Sequence, residues 1–128
     1  MDPRTLRYAQ THEWVHVQEG IATIGITDFA VEQLTDLVYI DLPEPGSRVT
    51  AGEPFGEIES VKAVSDLYSP VDGEIIAVNT ELADDLGRLS TDPYRSGWMI
   101  KVKISDSAGL DRLLDHAAYQ KQISEEDG

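Results

Sequence analysis

The chain contains no cysteine, so it can form no disulfide bond and has no thiolate to act as a nucleophile or as a zinc ligand. Any thiol chemistry must therefore come from a cofactor. No apolar run approaches the roughly 18 residues of a membrane-spanning helix, and residues 1–9 lack the apolar segment of a signal peptide. We expect a cytoplasmic protein, or a mitochondrial matrix protein if a presequence has been removed.

Basic side chains are also scarce, with 10 lysines and arginines against 24 aspartates and glutamates and a net charge of −14. Such a surface repels phosphate groups, so binding to nucleic acid or to an anionic membrane is not expected. It can steer the chain toward basic patches on protein partners, or it can serve solubility alone, and both interpretations stay open. A length of 128 residues with 41% hydrophobic residues suits one domain, residues 1–128.

The sequence lacks the common catalytic motifs as well. It has no nucleophile elbow, no phosphate-binding glycine loop and no cluster with metal-ligand spacing. His12 and His16 suggest a metal site, but no matching carboxylate or cysteine cluster lies near them in sequence, and a pair of packed or surface histidines is the alternative. We therefore predict no catalytic residue and no metal site.

The most informative stretch is residues 56–70, where two short runs of apolar residues flank one lysine. Acids and serines space the apolar residues, as half-buried strands require. Lys62 lies at the expected hairpin tip, and it is the only basic residue between Arg48 and Arg88. A lysine at a turn is usually a solvated surface charge, and that alternative stays open on residue statistics alone. The apolar residues are Phe55, Ile58 and Val61 before the turn, and Val64, Leu67 and Tyr68 after it.

Alternation and turn residues predict further strands over residues 8–20, 21–26, 38–42, 75–78 and 98–104, with a first hairpin turning at Gly20. Within the first strand, period two places His12, Trp14 and His16 on one face. Gly56-Glu57-Ile58 recurs as Gly73-Glu74-Ile75 on the other side of Lys62, and each copy follows a turn signal.

The sequence also predicts three helical segments. Thr27 or Asp28 caps a short helix, and residues 81–89 form another. Ser105 or Ser107 caps a C-terminal helix, and its tail at residues 121–128 is expected to fray. The apolar side of this helix comprises Leu110, Leu113, Leu114 and Ala117, extended by Tyr119 and Ile123.

The hairpin motif Glu59-Ser60-Val61-Lys62-Ala63, followed by Ser65-Asp66-Leu67-Tyr68-Ser69-Pro70, closely resembles the lipoyl-lysine hairpin of glycine cleavage system H proteins. Further motifs resemble that family in the expected order, and the resemblance runs from about residue 6 to about residue 119. They are His12-Glu13-Trp14-Val15, Ile24-Gly25-Ile26-Thr27-Asp28, Leu42-Pro43-Glu44-Pro45-Gly46, Asp92-Pro93-Tyr94 and Gly97-Trp98-Met99-Ile100-Lys101.

The resemblance implies a mainly β fold, namely a lipoyl/biotinyl-carrier-like β-sandwich, or flattened hybrid barrel, with short peripheral helices and a C-terminal helix. In such carriers two similar sheets are joined by the modified hairpin, and the repeated Gly-Glu-Ile fits that quasi-twofold arrangement.

The resemblance also implies that Lys62 carries lipoic acid in amide linkage. A dithiolane on a long arm can accept a group at one active site and present it at another. The chain would shuttle an aminomethyl group from glycine decarboxylase (P protein) to aminomethyltransferase (T protein), and dihydrolipoamide dehydrogenase (L protein) would reoxidise it. A lipoate ligase, or an octanoyltransferase with lipoyl synthase, would install the cofactor. Hairpin recognition would involve Glu59, Ser60, Val61, Ala63 and Asp66.

Thr11, Glu13 and Asp66 match family positions that line a cleft sheltering the loaded arm. Glu13 would be the electrostatic partner of the amine. Its alternative is one more solvated acid on a strand face, because the acid surplus makes any single glutamate uninformative.

The chain departs from the family pattern in the loop over residues 85–96. Asp85-Leu86 stands where Asn-Pro is often found, Ser90 where Asn is found, and Arg95 where Gly commonly follows Tyr94.

Several alternatives remain besides glycine cleavage: an H-like lipoate donor or scaffold, a biotinyl carrier or another lipoyl carrier domain, and a non-carrier β module. Biotin carriers usually place methionines beside the lysine, whereas Lys62 has Val61 and Ala63.

Overall fold

The computed structural model describes residues 3–34, 36–106, 110 and 112–127. Short 3-10 helices at Pro3–Thr5 and Thr80–Ala83 accompany the regular elements. In chain order these elements are β1 (Arg7–Tyr8), β2 (Glu13–Gln18), β3 (Ile21–Ile26), α1 (Asp28–Leu34), β4 (Leu37–Asp41), β5 (Arg48–Val49), β6 (Pro54–Ser60), β7 (Val64–Tyr68), β8 (Asp72–Val78), α2 (Gly87–Thr91), β9 (Ile100–Asp106) and α3 (His116–Asp127).

The strands form two antiparallel sheets that pack as a sandwich. The large sheet has the order β1-β2-β3-β9-β8-β5, and the small sheet has the order β4-β6-β7. The mainly β sandwich with peripheral helices and a C-terminal helix is confirmed, and within the described residues the two sheets remain open rather than joined as one barrel. The expectation of two similar sheets linked by the hairpin is wrong, because β6 and β7 both lie in the small sheet.

The main core lies between the two sheets. Ile24, Ile75 and Ile100 from the large sheet face Ile40 and Ile58 from the small one, and all five are buried. A second apolar cluster lies on the other side of the large sheet, under α3, and consists of Leu6, Tyr8, Trp14 and Tyr119. Strand β2 is therefore covered on both faces, which accounts for the burial of three consecutive residues at its start.

The first hairpin is confirmed, with Glu19 and Gly20 at its turn in positive-φ conformations of 54° and 78°. The predicted single strand over residues 8–20 is wrong, because residues 9–12 form a turn that separates β1 from β2. His12 lies in this turn with φ 78°, so it does not share a strand face with Trp14 and His16. The amide of His12 donates to the Ala9 carbonyl at 3.0 Å, which closes a tight turn.

The repeated Gly-Glu-Ile has the same role in both sheets. A Cβ at Gly56 would collide with the backbone carbonyl of Asp41, and a Cβ at Gly73 would collide with the carbonyl of Lys103. Each glycine therefore allows a neighbouring strand to approach closely, and the isoleucine two residues later enters the core.

The first helix is confirmed as α1, with Thr27 Oγ1 accepting the Ala30 amide at 3.3 Å. The single helix expected over residues 81–89 is wrong, because the 3-10 helix Thr80–Ala83 and α2 replace it. Strand β9 starts two residues later than expected and extends through Asp106.

The predicted start of the C-terminal helix is wrong. Ser105 lies within β9, and Ser107 lies outside the described residues. Leu114 instead pairs with Tyr8 as an isolated bridge, with backbone hydrogen bonds of 2.7 and 2.8 Å in the two directions. Helix α3 begins only at His116, where Asp115 Oδ1 accepts the Ala118 amide at 2.8 Å. Residues 121–127 continue α3, and fraying of this tail stays a prediction.

Candidate functional site

The turn between β6 and β7 presents Lys62 at its tip. The amide of Ser60 donates to the Ala63 carbonyl at 2.8 Å and closes the turn. Ser60 Oγ then accepts the amides of Lys62 at 3.4 Å and of Ala63 at 3.1 Å, so one buried hydroxyl organises three residues of the turn. A second fastening comes from the amide of Val61, which donates to the Asp36 carbonyl at 3.1 Å.

Lys62 itself is exposed, as are Val61 and Ala63 on either side of it. No described residue forms a hydrogen bond or an ion pair with its ammonium group. Glu59 is half-buried at the end of β6, and Asp66 is exposed on β7. The hairpin thus combines a well-bonded backbone with an available lysine side chain.

Glu13 is not a surface acid, since it is only 1% exposed. One carboxylate oxygen accepts a short hydrogen bond from the Thr11 hydroxyl, and the other accepts the Tyr68 amide at 3.1 Å. Burial raises the pKa of Glu13 from 4.5 to about 7, and these hydrogen bonds oppose the shift without cancelling it. The alternative of a solvated acid is therefore wrong.

The position of Glu13 depends on the tight turn before β2. The Ala9 amide donates to the Glu13 carbonyl at 2.8 Å, and the Thr27 amide donates to the His12 carbonyl at 3.0 Å. His12 adopts the left-handed conformation that few side chains tolerate, so the turn directs its two neighbours, Thr11 and Glu13, toward β7.

Side chains of helix α3 hold this turn in place through polar contacts. The Tyr119 hydroxyl lies 2.8 Å from His12 Nδ1 and 2.6 Å from Thr27 Oγ1, and its ring stacks on Tyr8 at 4.5 Å. Burial raises the pKa of Tyr119, so this hydroxyl stays protonated. His12 Nε2 also lies 3.3 Å from a carboxylate oxygen of Glu126.

A cleft of about 290 Å³ lies next to the residues that hold the Glu13 carboxylate, although neither Glu13 nor Asp66 lines it. Thr11 and Tyr68, the two hydrogen-bond partners of that carboxylate, both line it, and so does Arg112. Asp66 contacts the Tyr68 hydroxyl at 3.5 Å. The structure thus brings Thr11 and Glu13 into direct contact and links Asp66 to them through Tyr68.

The sequence pattern predicts neither Tyr68 nor Arg112 in this region. It indicates only that Tyr68 is an apolar hairpin residue, although its amide and hydroxyl connect Glu13 to Asp66. No local signal in the sequence pairs residues 13 and 68, because the contact depends on how the two sheets pack.

No group of three or more metal-ligating side chains that could hold an ion occurs in the described part of the chain. No helix among the same residues is long and apolar enough to cross a membrane.

The protein is a sandwich of a six-stranded and a three-stranded sheet, and the tip of one hairpin presents an exposed lysine whose ammonium has no partner among the described residues. This arrangement is typical of the class of lipoyl and biotinyl carrier domains. A family profile described as glycine cleavage H-protein matches residues 6–126. The chain belongs to the glycine cleavage H-protein family.

Individual relatives agree with this assignment. The chain is 61% identical to a glycine cleavage system H protein of Rhodopirellula baltica, with 97% of this chain and 96% of the relative aligned. It is 50% identical to one of Marinobacter nauticus, with 98% and 97% aligned. The crystal structure of an H protein from Mycobacterium marinum superimposes with a TM-score of 0.89 at 40% identity, covering 96% of this chain and 99% of the other.

Proposed function

We propose that Lys62 carries lipoic acid in amide linkage and that the chain acts through it as the lipoyl carrier of the glycine cleavage system. The observation that carries this proposal is the exposed Lys62 side chain, whose ammonium forms no hydrogen bond or ion pair with a described residue, on a turn in which the backbone amides of residues 60–63 are all hydrogen-bonded. An acyl group added there disturbs no interaction that the fold needs.

When bound, the lipoyl group supplies a reducible disulfide at the end of a long arm, which accepts and yields an aminomethyl group. The protein's part is to hold and present the point of attachment. Ser60 and the carbonyl of Asp36 hold the backbone of the turn through hydrogen bonds, so we expect the movement of the arm to come mainly from the side chain of Lys62 and the group it carries. The chain itself is a carrier and has no catalytic role.

This function requires the enzymes that act on the arm. Glycine decarboxylase would load it, aminomethyltransferase would unload it, and dihydrolipoamide dehydrogenase would reoxidise it. A lipoate ligase, or an octanoyltransferase with lipoyl synthase, would modify Lys62. The cytoplasmic location stays a prediction, and the bacterial relatives give no support to the mitochondrial alternative. No observation favours a lipoate donor or a biotin carrier.

We also propose that the cleft beside Thr11, Glu13 and Asp66 shelters the amine of the aminomethyl group on the lipoyl arm. With a pKa of about 7, Glu13 is only partly ionised at neutral pH. An ammonium group that enters the cleft favours the carboxylate form, because a charge-assisted hydrogen bond typically contributes about 1.5 to 3 kcal/mol. Glu13 would then release a proton as it binds the cation.

Glu13→Gln tests the shelter while leaving the shape of the side chain unchanged. We expect normal lipoylation and reoxidation but faster loss of ammonia and formaldehyde from the loaded protein, by about tenfold if about 1.4 kcal/mol is lost. The decay is timed for the wild type and the variant at equal loading. Equal decay rates would leave the shelter to other residues.

Lys62→Arg tests the attachment site. Arginine preserves the charge at the exposed tip but cannot be acylated, so we expect a normal fold and complete loss of glycine cleavage in the reconstituted system. Lys101→Arg is the control, because Lys101 lies in β9 and contacts the Trp98 ring at 5.1 Å. Residual activity of the Lys62 variant would contradict the assignment.

A further inference from the structure

We propose that the enzyme that acylates Lys62 docks on the outer face of the small sheet, with Val38 and Tyr39 of β4 at the centre of the contact. We call the exposed residues Val38, Tyr39 and Val64, together with the half-buried Glu59, the outer-face patch. The proposal rests on the proposed function, because it presumes that Lys62 is the residue acylated. It extends the recognition surface from the hairpin to a strand more than 20 positions earlier in the chain.

The strand register places this patch beside the hairpin tip. Tyr39 pairs with Glu59 on β6, and Glu59 pairs with Val64 on β7, so the three side chains form one row on one face. The neighbouring row contains Ile40 and Ile58, which are buried in the core. The row with Tyr39 therefore faces outward, and it lies directly before the turn that holds Lys62.

A β-bulge enlarges the apolar surface of this row. The register of β4 against β6 shifts between Leu37 and Tyr39, which makes Val38 an extra residue. Consecutive residues of a regular strand point to opposite faces, yet Val38 is 52% exposed and Tyr39 is 53% exposed. With Val64 at 60% exposure, they group large apolar side chains where core packing gives no reason for them.

A row of acids flanks this apolar centre on the side away from the hairpin tip. Asp41, Glu57 and Asp66 pair across the three strands as the next outward-facing row. Lys62 is the only basic residue in the hairpin, and β4 contains none. The complementary partner surface has an apolar centre and a basic rim.

The chemistry of acylation identifies which partner must reach this surface. Acylation forms an amide bond between Lys62 Nζ and the carbonyl carbon of an activated donor, an acyl adenylate or an acyl thioester. The bond from that carbon to the adenylate or thiol leaving group breaks, and the ammonium loses its proton to solvent. Because the reacting atom belongs to Lys62 itself, the enzyme must cover the hairpin tip and the residues beside it. Enzymes that act after attachment work at the end of a longer arm.

The test measures the initial rate of lipoylation of unmodified protein by a purified lipoate ligase with ATP and lipoate, followed by intact mass. We expect Tyr39→Ser and Val38→Ser each to lower kcat/KM about tenfold, mainly through KM, as loss of an interface anchor does. Ile76→Ser is a matched control, because Ile76 is 43% exposed and is likewise the extra residue at a register shift, but in the large sheet. Its rate should stay within about twofold of the wild type.

A second pair of variants tests the acidic rim. Glu57→Gln should slow lipoylation severalfold at low salt, and the difference should shrink as salt screens the charges. Glu74→Gln is its control, because Glu74 is exposed and occupies the same place in the repeated Gly-Glu-Ile. Thermal unfolding of every variant establishes that a slow rate does not reflect misfolding.

The outcomes separate this proposal from the proposed function. If wild-type Lys62 is not acylated at all, the proposed function fails. If it is acylated and the Tyr39 and Ile76 variants react equally fast, the docking proposal fails and the function stands. If the fully lipoylated Tyr39 variant is instead slowed mainly in exchange with glycine decarboxylase, the patch belongs to that enzyme and our choice of partner is overturned.

Discussion

Strands β6 and β8 begin alike and end differently. Both contain Gly-Glu-Ile, both use the glycine for close approach to a carbonyl, and both bury the isoleucine. The residue 17 positions after Lys62, which corresponds to it in the repeat, is Asn79. Asn79 is 6% exposed, and its Nδ2 donates to the carbonyls of Ser96 at 3.0 Å and Trp98 at 2.8 Å. Lys62 is exposed, and its ammonium group has no hydrogen-bond or ion-pair partner among the described residues.

The two strand ends differ in what their polar side chain does. At the end of β8, the polar side chain satisfies two carbonyls and holds the following loop in place, as buried polar groups do in stable structure. At the end of β6, the backbone and Ser60 supply the hydrogen bonds of the turn, so the side chain of Lys62 contributes none and remains available. The same strand pattern thus ends in a structural residue after β8 and, on our proposal, in the modified lysine after β6.

The largest loss of stability should follow from substituting the glycine that the two strands share. Gly56→Ala and Gly73→Ala would each place a Cβ against a backbone carbonyl that cannot move aside, and we expect each to lower the free energy of unfolding by more than about 3 kcal/mol. Gly87→Ala in α2 is the control, because the nearest atom to its Cβ lies 3.4 Å away. Urea denaturation measures all three. If only one of the two strand variants is destabilised, the likeness of the strands is superficial.

The contribution of Glu13 to stability, at the base of the hairpin formed by β6 and β7, should depend on pH. Glu13 holds the Tyr68 amide, and its folded-state pKa of about 7 exceeds the value of 4.5 for a free glutamate. Its stabilising contribution is therefore fully present below about pH 4.5 and is lost as the pH rises through 7, by on the order of 3 kcal/mol.

Glu13→Gln removes this titration. The stability of the wild type relative to Glu13→Gln should therefore fall between pH 4.5 and pH 8, measured by urea denaturation at several pH values. Parallel stability curves for the two proteins would show that Glu13 titrates normally in the folded state.

A smaller difference in stability is expected between substitutions at the two strand ends, Asn79 after β8 and Lys62 after β6. Asn79→Ala leaves the carbonyls of Ser96 and Trp98 without their donor and should cost about 2 kcal/mol. Lys62→Ala removes an exposed side chain and should change stability by less than about 0.5 kcal/mol. Calorimetric unfolding of both variants gives the comparison, and similar losses at the two positions would contradict our distinction between them.

Local patterns predicted the hairpin, the exposed lysine and most strands, because alternation and turn residues act over a few positions. The C-terminal helix begins later than its apolar periodicity indicates, because Leu114 pairs with Tyr8, which is distant in sequence. The bulge at Val38 was also missed, since a continuous apolar run gives no sign of an extra residue.

The candidate site was less predictable than the hairpin. Lys62 stood out because it is a lone basic residue in an acidic stretch. Glu13 did not stand out, since 24 acidic residues make each one look alike. Its burial and its raised pKa arise from the contact with Tyr68, and no short-range pattern contains that contact.

The central claim is that Lys62 is the lipoylated residue, and mass measurement tests it most directly. The protein is expressed with a lipoate source, weighed intact and then mapped by peptide fragmentation. We expect one lipoyl group on Lys62 and none on Lys101, Lys103 or Lys121, the first two of which lie in β9 and the last in α3. A lipoyl group on another lysine, or a biotinyl group on Lys62, would contradict the account.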